Sequence, residues 1–174
     1  MPSPLPLAEP PRDLATIEKI EEELTFPSFT ADTAWELGNA LRLRLLDFPV
    51  PAVISISLAN SNQLLFHSVS RPGTQADNDT WVARKRATVL RWGRSTWYMH
   101  NKMEADEAFF AKKYMLGETA GTYAIHGGGF PIRVKSVEGV IGVIVVSGLK
   151  QTQDHQIIVE AIEKHLTKQR STQR

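Results

Sequence analysis

Two short stretches hold the residue types with most chemical potential. The first is His126-Gly127-Gly128-Gly129-Phe130. Three successive glycines can bare their amides to a ligand, or let another backbone approach closely. Oxyanion-hole use of such a run requires a Gly-x-Ser-x-Gly nucleophile elbow downstream. None follows, and the nearest run, Gly93-Arg94-Ser95-Thr96-Trp97, lacks the closing glycine. No Gly-Lys-Ser/Thr follows either, so a phosphate loop is excluded. Two readings stay open: a geometric role, and a small anion or ligand cradle with His126 at its lip. The second stretch is basic: Arg84, Lys85, Arg86, Arg91 and Arg94, with no acid between Thr80 and Met103. On a helix Arg84 and Arg91 share a face, and cations near a helix C-terminus are favoured in any case. This run is either a solvated, salt-bridged face or an anion-binding face for a carboxylate, a phosphate or a haem propionate. The candidate ligand-binding set is therefore His126, Gly127, Gly128, Gly129, Arg84, Lys85 and Arg91. No catalytic residue and no metal site is assigned.

Histidines supply the remaining donors: His67, His100, His126, His155 and His165. No pair has His-x-x-x-His spacing. The chain has no cysteine, which removes disulfides, thiolate metal sites and a cysteine nucleophile. A histidine is then the available iron ligand if haem binds. The net charge of +1 gives no global field for nucleic acid or an anionic membrane, so neither is expected as a partner. The longest apolar stretches, Gly139–Val146 and Val50–Leu58, fall far short of the roughly 20 residues that span a bilayer. No membrane insertion is expected. The lack of disulfides fits a cytoplasmic location.

The elements that must position these groups follow from periodicity and punctuation. Residues 1–12 read as a flexible Pro-rich arm, 13–168 as one domain and 169–174 as a polar tail. Leu14, Ile17, Ile20 and Leu24 give a helical stripe that Asp13 can cap and Phe26-Pro27 stops. A second helix starts near Thr30 to Asp32 and ends at Phe48-Pro49. Ala52–Leu58 and Gln63–Val69, joined by Ala59-Asn60-Ser61-Asn62, read as a β-hairpin. Asp77-Asn78-Asp79-Thr80 offers caps for a third helix running to about Trp92, with Gly93 ending it. Met103–Met115 predicts a fourth helix. Phe130–Lys135 and Val137–Val146 predict a second strand pair. A last helix begins at Asp154 with the stripe Ile157, Ile158, Ala161, Ile162, His165 and Leu166. Hairpins separated by helices predict an α+β fold: an antiparallel sheet of two hairpins flanked by helices. The free edges of such a sheet predict a homo-oligomer.

The runs His126–Ile132, Gly139–Gly142, Val146–Leu149 and Asp154-His155 resemble the haem-degrading/haem-binding-like domain family, and Trp81, Arg84, Lys85 and Arg86 fit its uncharacterised bacterial and fungal branch. The similarity covers about residues 13–168. It implies a profilin-like fold and a homo-oligomer. Some distant members bind haem; fungal members of the branch are associated with cytosolic handling of tail-anchored membrane proteins. No haem-ligand motif is carried over by the resemblance. Three readings stay open. One is a non-enzymatic chaperone-like or adaptor protein, with chaperone or targeting factors as partners. The second is a haem or small-anion binding module, and the third an enzyme of unknown reaction.

Overall fold

The computed structural model describes residues 6–172. Helix α1 (Leu14–Glu23) starts where Asp13 accepts from the Thr16 amide. Helix α2 (Ala31–Leu45) is capped reciprocally by Thr30 and Thr33. Strands β1 (Val53–Leu58) and β2 (Leu64–Val69) form the first hairpin. Helix α3 spans Ala76–Trp92, and Gly93 ends it in the left-handed conformation that glycine adopts without a Cβ penalty. Helices α4 (Thr96–Lys102) and α5 (Glu107–Lys113) and a 3-10 turn (Gly117–Thr122) lead to β3 (Gly129–Ile132) and β4 (Gly142–Ser147). Helix α6 (Gln151–Thr172) closes the described chain.

The four strands form one antiparallel sheet in the order β2-β1-β4-β3. The two hairpins therefore meet through β1 and β4, and the expected α+β architecture holds. Both inner strands are buried on both faces, which is why they read as near-continuous apolar runs. On one face Ile54, Ile56, Ile144 and Val146 pack against α2 and α6 in the main core. On the other, Val53, Val143 and Val145 meet Val82 and Val89 of α3. A third cluster, around Met99, Met103, Phe110 and Ile125, holds α4 and α5 beside the sheet.

Several boundaries differ from the sequence reading. Of the helix predicted over Met103–Met115 only α5 forms, because Met103 closes α4, a helix not predicted, and Glu104 and Ala105 then take positive φ. The second hairpin is shorter than predicted, since Ser136 and Gly139 turn the connection at positive φ. Helix α6 starts at Gln151 instead of Asp154. It runs to Thr172 because no glycine or proline interrupts it after Leu166, so residues 169–172 of the expected tail are helical. Of the expected arm, residues 1–5 lie outside the described residues, as do 173–174 of the tail. Pro10 is buried, and the Trp97 indole N–H donates to the Pro11 carbonyl at 2.8 Å.

Candidate ligand-binding sites

Lys85 sits on the sheet-facing side of α3, one turn from Val82 and Val89, where an apolar residue would be expected. Its Nζ donates to the Val146 carbonyl and to Asp154 Oδ2, each at 3.1 Å. Lys85 and Asp154 are both only 3% exposed. Asp154, in the first turn of α6, also accepts from the Leu149 amide at 2.9 Å and the Gly148 amide at 3.3 Å. Burial pushes its carboxyl up, against the pull of Lys85 and these amides. Two buried charges are tolerable only because each is paired and hydrogen-bonded.

The triglycine run lies against this pair, so the structure brings the glycine loop and the basic helix together. Gly128 takes φ +123°, and a Cβ there would fall 2.6 Å from Lys85 Nζ and closer still to the Val146 carbonyl. The Gly127 amide donates to Gln151 Oε1 at 3.2 Å, the Gly129 amide to Thr96 Oγ1 at 2.9 Å, and the Gly128 carbonyl accepts from the Val146 amide at 2.8 Å. The amides of Gly127 and Gly129 are therefore engaged within the protein. Close backbone approach is what these glycines permit.

The basic run disperses. Arg84 donates twice to the Tyr123 carbonyl and stacks over Trp81 at 4.3 Å. Arg86 reaches Ser57 and the Leu58 carbonyl. Arg91 donates to the Tyr123 hydroxyl and lies over Trp92. Arg94 pairs with Glu18 and approaches buried Glu21. Lys85 is the member of the run that lines a cleft. That cleft, about 320 Å³, opens beside the first turns of α3 and α6 and has Trp81, His126, Ser147 and Gln151 in its walls. His126 meets Trp81 edge to face, with ring centroids 5.0 Å apart. Its Nδ1 lies 3.4 Å from Glu107 Oε1, an ion-pair distance, and has no hydrogen-bond partner among the described residues. Burial pushes the imidazole down; Glu107 opposes this, and Lys85 and Arg84 add to it. The balance favours the neutral imidazole.

A second cavity, about 380 Å³, lies between α2 and α6. Leu37, Ala40, Leu43, Ile157 and Ala161 line it, and Lys164 and Lys168 stand along its α6 side. His165 also lines it and is 8% exposed. Its Nδ1 lies 3.5 Å from Glu36 Oε2, while Nε2 is shielded and without a hydrogen-bond partner among the described residues. Burial pushes this imidazole down, with Glu36 opposing and Lys168 adding to it. The sequence reading counted His165 as one member of an amphipathic stripe. The available signal was a titratable residue on an otherwise apolar face.

The family model described as haem-degrading protein HbpS-like matches residues 29–163. The chain belongs to the HbpS-like family. A UPF0303 protein of Streptomyces coelicolor is 40% identical over 153 residues, covering 88% of this chain and 93% of its own. One from Psychromonas ingrahamii is 40% identical over 142 residues, covering 82% and 86%. The crystal structure of the Ybr137w protein matches with a TM-score of 0.83 at 31% identity, over 90% of this chain and 89% of its own. A structure described as a PduOC:heme complex matches at 0.60 with 20% identity, over 78% and 94%, and shares the fold.

Proposed function

We propose that this member of the HbpS-like family is a haem-binding module that works as a homo-oligomer, with haem seated in the α2–α6 groove on His165. The observation that carries the reading is the pairing of a largely apolar groove with a mostly shielded imidazole whose Nε2 has no hydrogen-bond partner among the described residues; iron ligation there requires the His165 ring to turn that nitrogen to the groove. A histidine that ligates iron typically directs its other ring nitrogen to a carboxylate, which fixes the tautomer. Glu36 stands in that position for His165. Leu37, Ala40, Leu43, Ile157 and Ala161 offer apolar contact to a macrocycle, and Lys164 and Lys168 offer charge to propionates. Haem, when bound, supplies an iron centre whose properties are set by its axial ligand and surroundings. The His126 cleft has Trp81 and Leu149 in its walls, but Asp77, Asn78, Lys85, Ser147, Gln151 and Asp154 make most of its lining polar, so it fits a macrocycle less well than the groove.

Assembly is supported by the sheet edge. β2 is paired on one side by β1 and exposes Leu64 at 55% on an edge strand, while neighbouring α2 exposes Trp35 at 65%. Uncovered edges and apolar patches of this kind are normally paired or covered. Light scattering in solution should give a mass above one chain, and a monomer would refute this part. The chaperone-like or adaptor reading has no feature among the described residues that singles out a client.

The test is a haem titration of the full chain followed at the Soret band. His165→Ala should abolish the shifted band, and added imidazole should restore it. His126→Ala should leave it in place. A wild-type chain without a Soret shift, or His165→Ala binding as wild type, would contradict the proposal.

A further inference from the structure

The cleft beside α3 and α6 is lined by several hydrogen-bond donors with no acceptor among the described residues. In two of them, Asn78 and Gln151, the accepting half of the side-chain amide is already consumed. Asn78 Oδ1 accepts from the Gln75 amide at 2.8 Å, so what Asn78 offers a ligand is its NH₂. Gln151 Oε1 accepts from the Gly127 amide at 3.2 Å, so Gln151 likewise offers its NH₂. Because both partners are backbone N–H groups, the orientation of the two side-chain amides is fixed by chemistry. An ammonium carries three hydrogens. Two of those on Lys85 go to Val146 and Asp154, and the third has no acceptor among the described residues. Ser147 adds a hydroxyl. Asn78, Lys85, Ser147 and Gln151 line one cleft of about 320 Å³. Asp154 neutralises Lys85 and is itself filled by two backbone amides, so it does not compete for these donors.

We propose that this cleft is a binding site for a small monocarboxylate, held by the amides of Asn78 and Gln151 and by Lys85, separate from the α2–α6 groove. A carboxylate has two oxygens and about four acceptor sites in one plane, which suits several converging donors. The donors are mostly neutral, so the site orients the ligand more than it attracts charge. Exposed Asp77 at the lip adds a like charge that weakens the hold on any anion and disfavours dicarboxylates most. His126, which also lines the cleft, can meet the rest of the ligand.

Two substitutions separate this site from the fold. Asn78→Asp keeps the oxygen that accepts from Gln75, stays favourable in the first turn of a helix, and removes the donor. Gln151→Glu keeps the acceptor for Gly127 and removes its donor. The full chain is titrated with acetate, propionate and succinate, with acetamide as uncharged control, and unfolding is followed by thermal scan and binding by calorimetry. Acetate or propionate at roughly 10 mM should raise the melting temperature saturably, as binding to the folded form alone requires. Succinate and acetamide should act more weakly. Each variant should weaken binding by about tenfold or more, the scale of one lost charge-assisted hydrogen bond. A wild-type chain with no saturable response to either monocarboxylate would overturn the proposal. So would variants that fold and bind as wild type. The variants are read separately, so misfolding of one leaves the other decisive.

Discussion

Replacing Gly128 by alanine tests the packing that joins β3, β4, α3 and α6. Two effects add. The backbone there has φ +123°, which L side chains rarely adopt, at an expected cost of roughly 1–3 kcal/mol. The new methyl would also meet Lys85 Nζ at 2.6 Å, Asp154 Cβ at 2.9 Å and the Val146 carbonyl closer still. A flexible ammonium can retreat, but the Val146 carbonyl belongs to the backbone of β4, whose position is held by its pairing with β1 and by the Val146 amide bond to Gly128. Retreat of Lys85 gives up charge-assisted bonds in a buried site, worth about 1.5–3 kcal/mol. A total loss near 4 kcal/mol follows from these two ranges. For a chain of this length each kcal/mol moves the melting temperature by about 2–4 °C, so the fall should be roughly 8–16 °C. Gly121→Ala is the control: it is exposed and a Cβ there meets nothing within 4 Å. Its effect should stay within about 1 kcal/mol, on the stabilising side if anything. Thermal and urea denaturation measure both. If Gly128→Ala and Gly121→Ala unfold within about 1 kcal/mol of each other, the close-approach account of the triglycine run is wrong.

Other expectations concern buried ionisable groups. Lys85→Met should destabilise by about 3–5 kcal/mol because Asp154 is left charged and unpaired, and adding Asp154→Leu should recover much of this; a single variant as stable as wild type would sink it. His155 is fully buried between Trp97 and Phe130, and burial pushes its imidazole down to about 3, below the ordinary 6.5. The unfolded chain then takes up a proton that the folded chain refuses, so stability is full above pH 6.5 and drains as pH falls toward 3. At 1.36 kcal/mol per pH unit the whole interval is worth roughly 5 kcal/mol. His155→Phe should flatten that acid limb, and an unchanged limb in urea titrations across pH would refute the assignment. Burial likewise pushes Glu21 up, against its bonds from Ser95 and the nearby Arg94 and Arg133. Its contribution has the opposite sense: present below about pH 4.5 and lost as pH rises through the raised value. The stability of wild type relative to Glu21→Gln should therefore decline as pH climbs from 4.5.

Much of the fold was legible because local signals agreed with tertiary ones. Asp13 and Thr30 cap the helices their positions announced, and Gly93 stops α3. The apolar runs around β1 and β4 marked the inner strands. What misled was propensity without backbone geometry: Met103–Met115 has good helix formers, yet Glu104 and Ala105 turn at positive φ to bring Phe110 into the Met99 cluster. The meeting of His126, the triglycine run and Lys85 was also legible. Their chemistry was not, because the sequence does not reveal that Tyr123 takes Arg84 and Arg91, or that Asp154, 69 residues from Lys85, neutralises it. The donors Asn78 and Gln151 passed unnoticed for the same reason: each matters through the partner that occupies its other half. His165 was hidden in plain sight within a stripe of apolar neighbours.

The most direct test of the haem reading is a side-by-side Soret titration of wild type, His126→Ala and His165→Ala at matched protein concentration. The groove account predicts that wild type and His126→Ala share a saturable red-shifted band, and that His165→Ala shows only free haem until imidazole is added. A band that survives His165→Ala and vanishes with His126→Ala would place haem in the other cleft and contradict it.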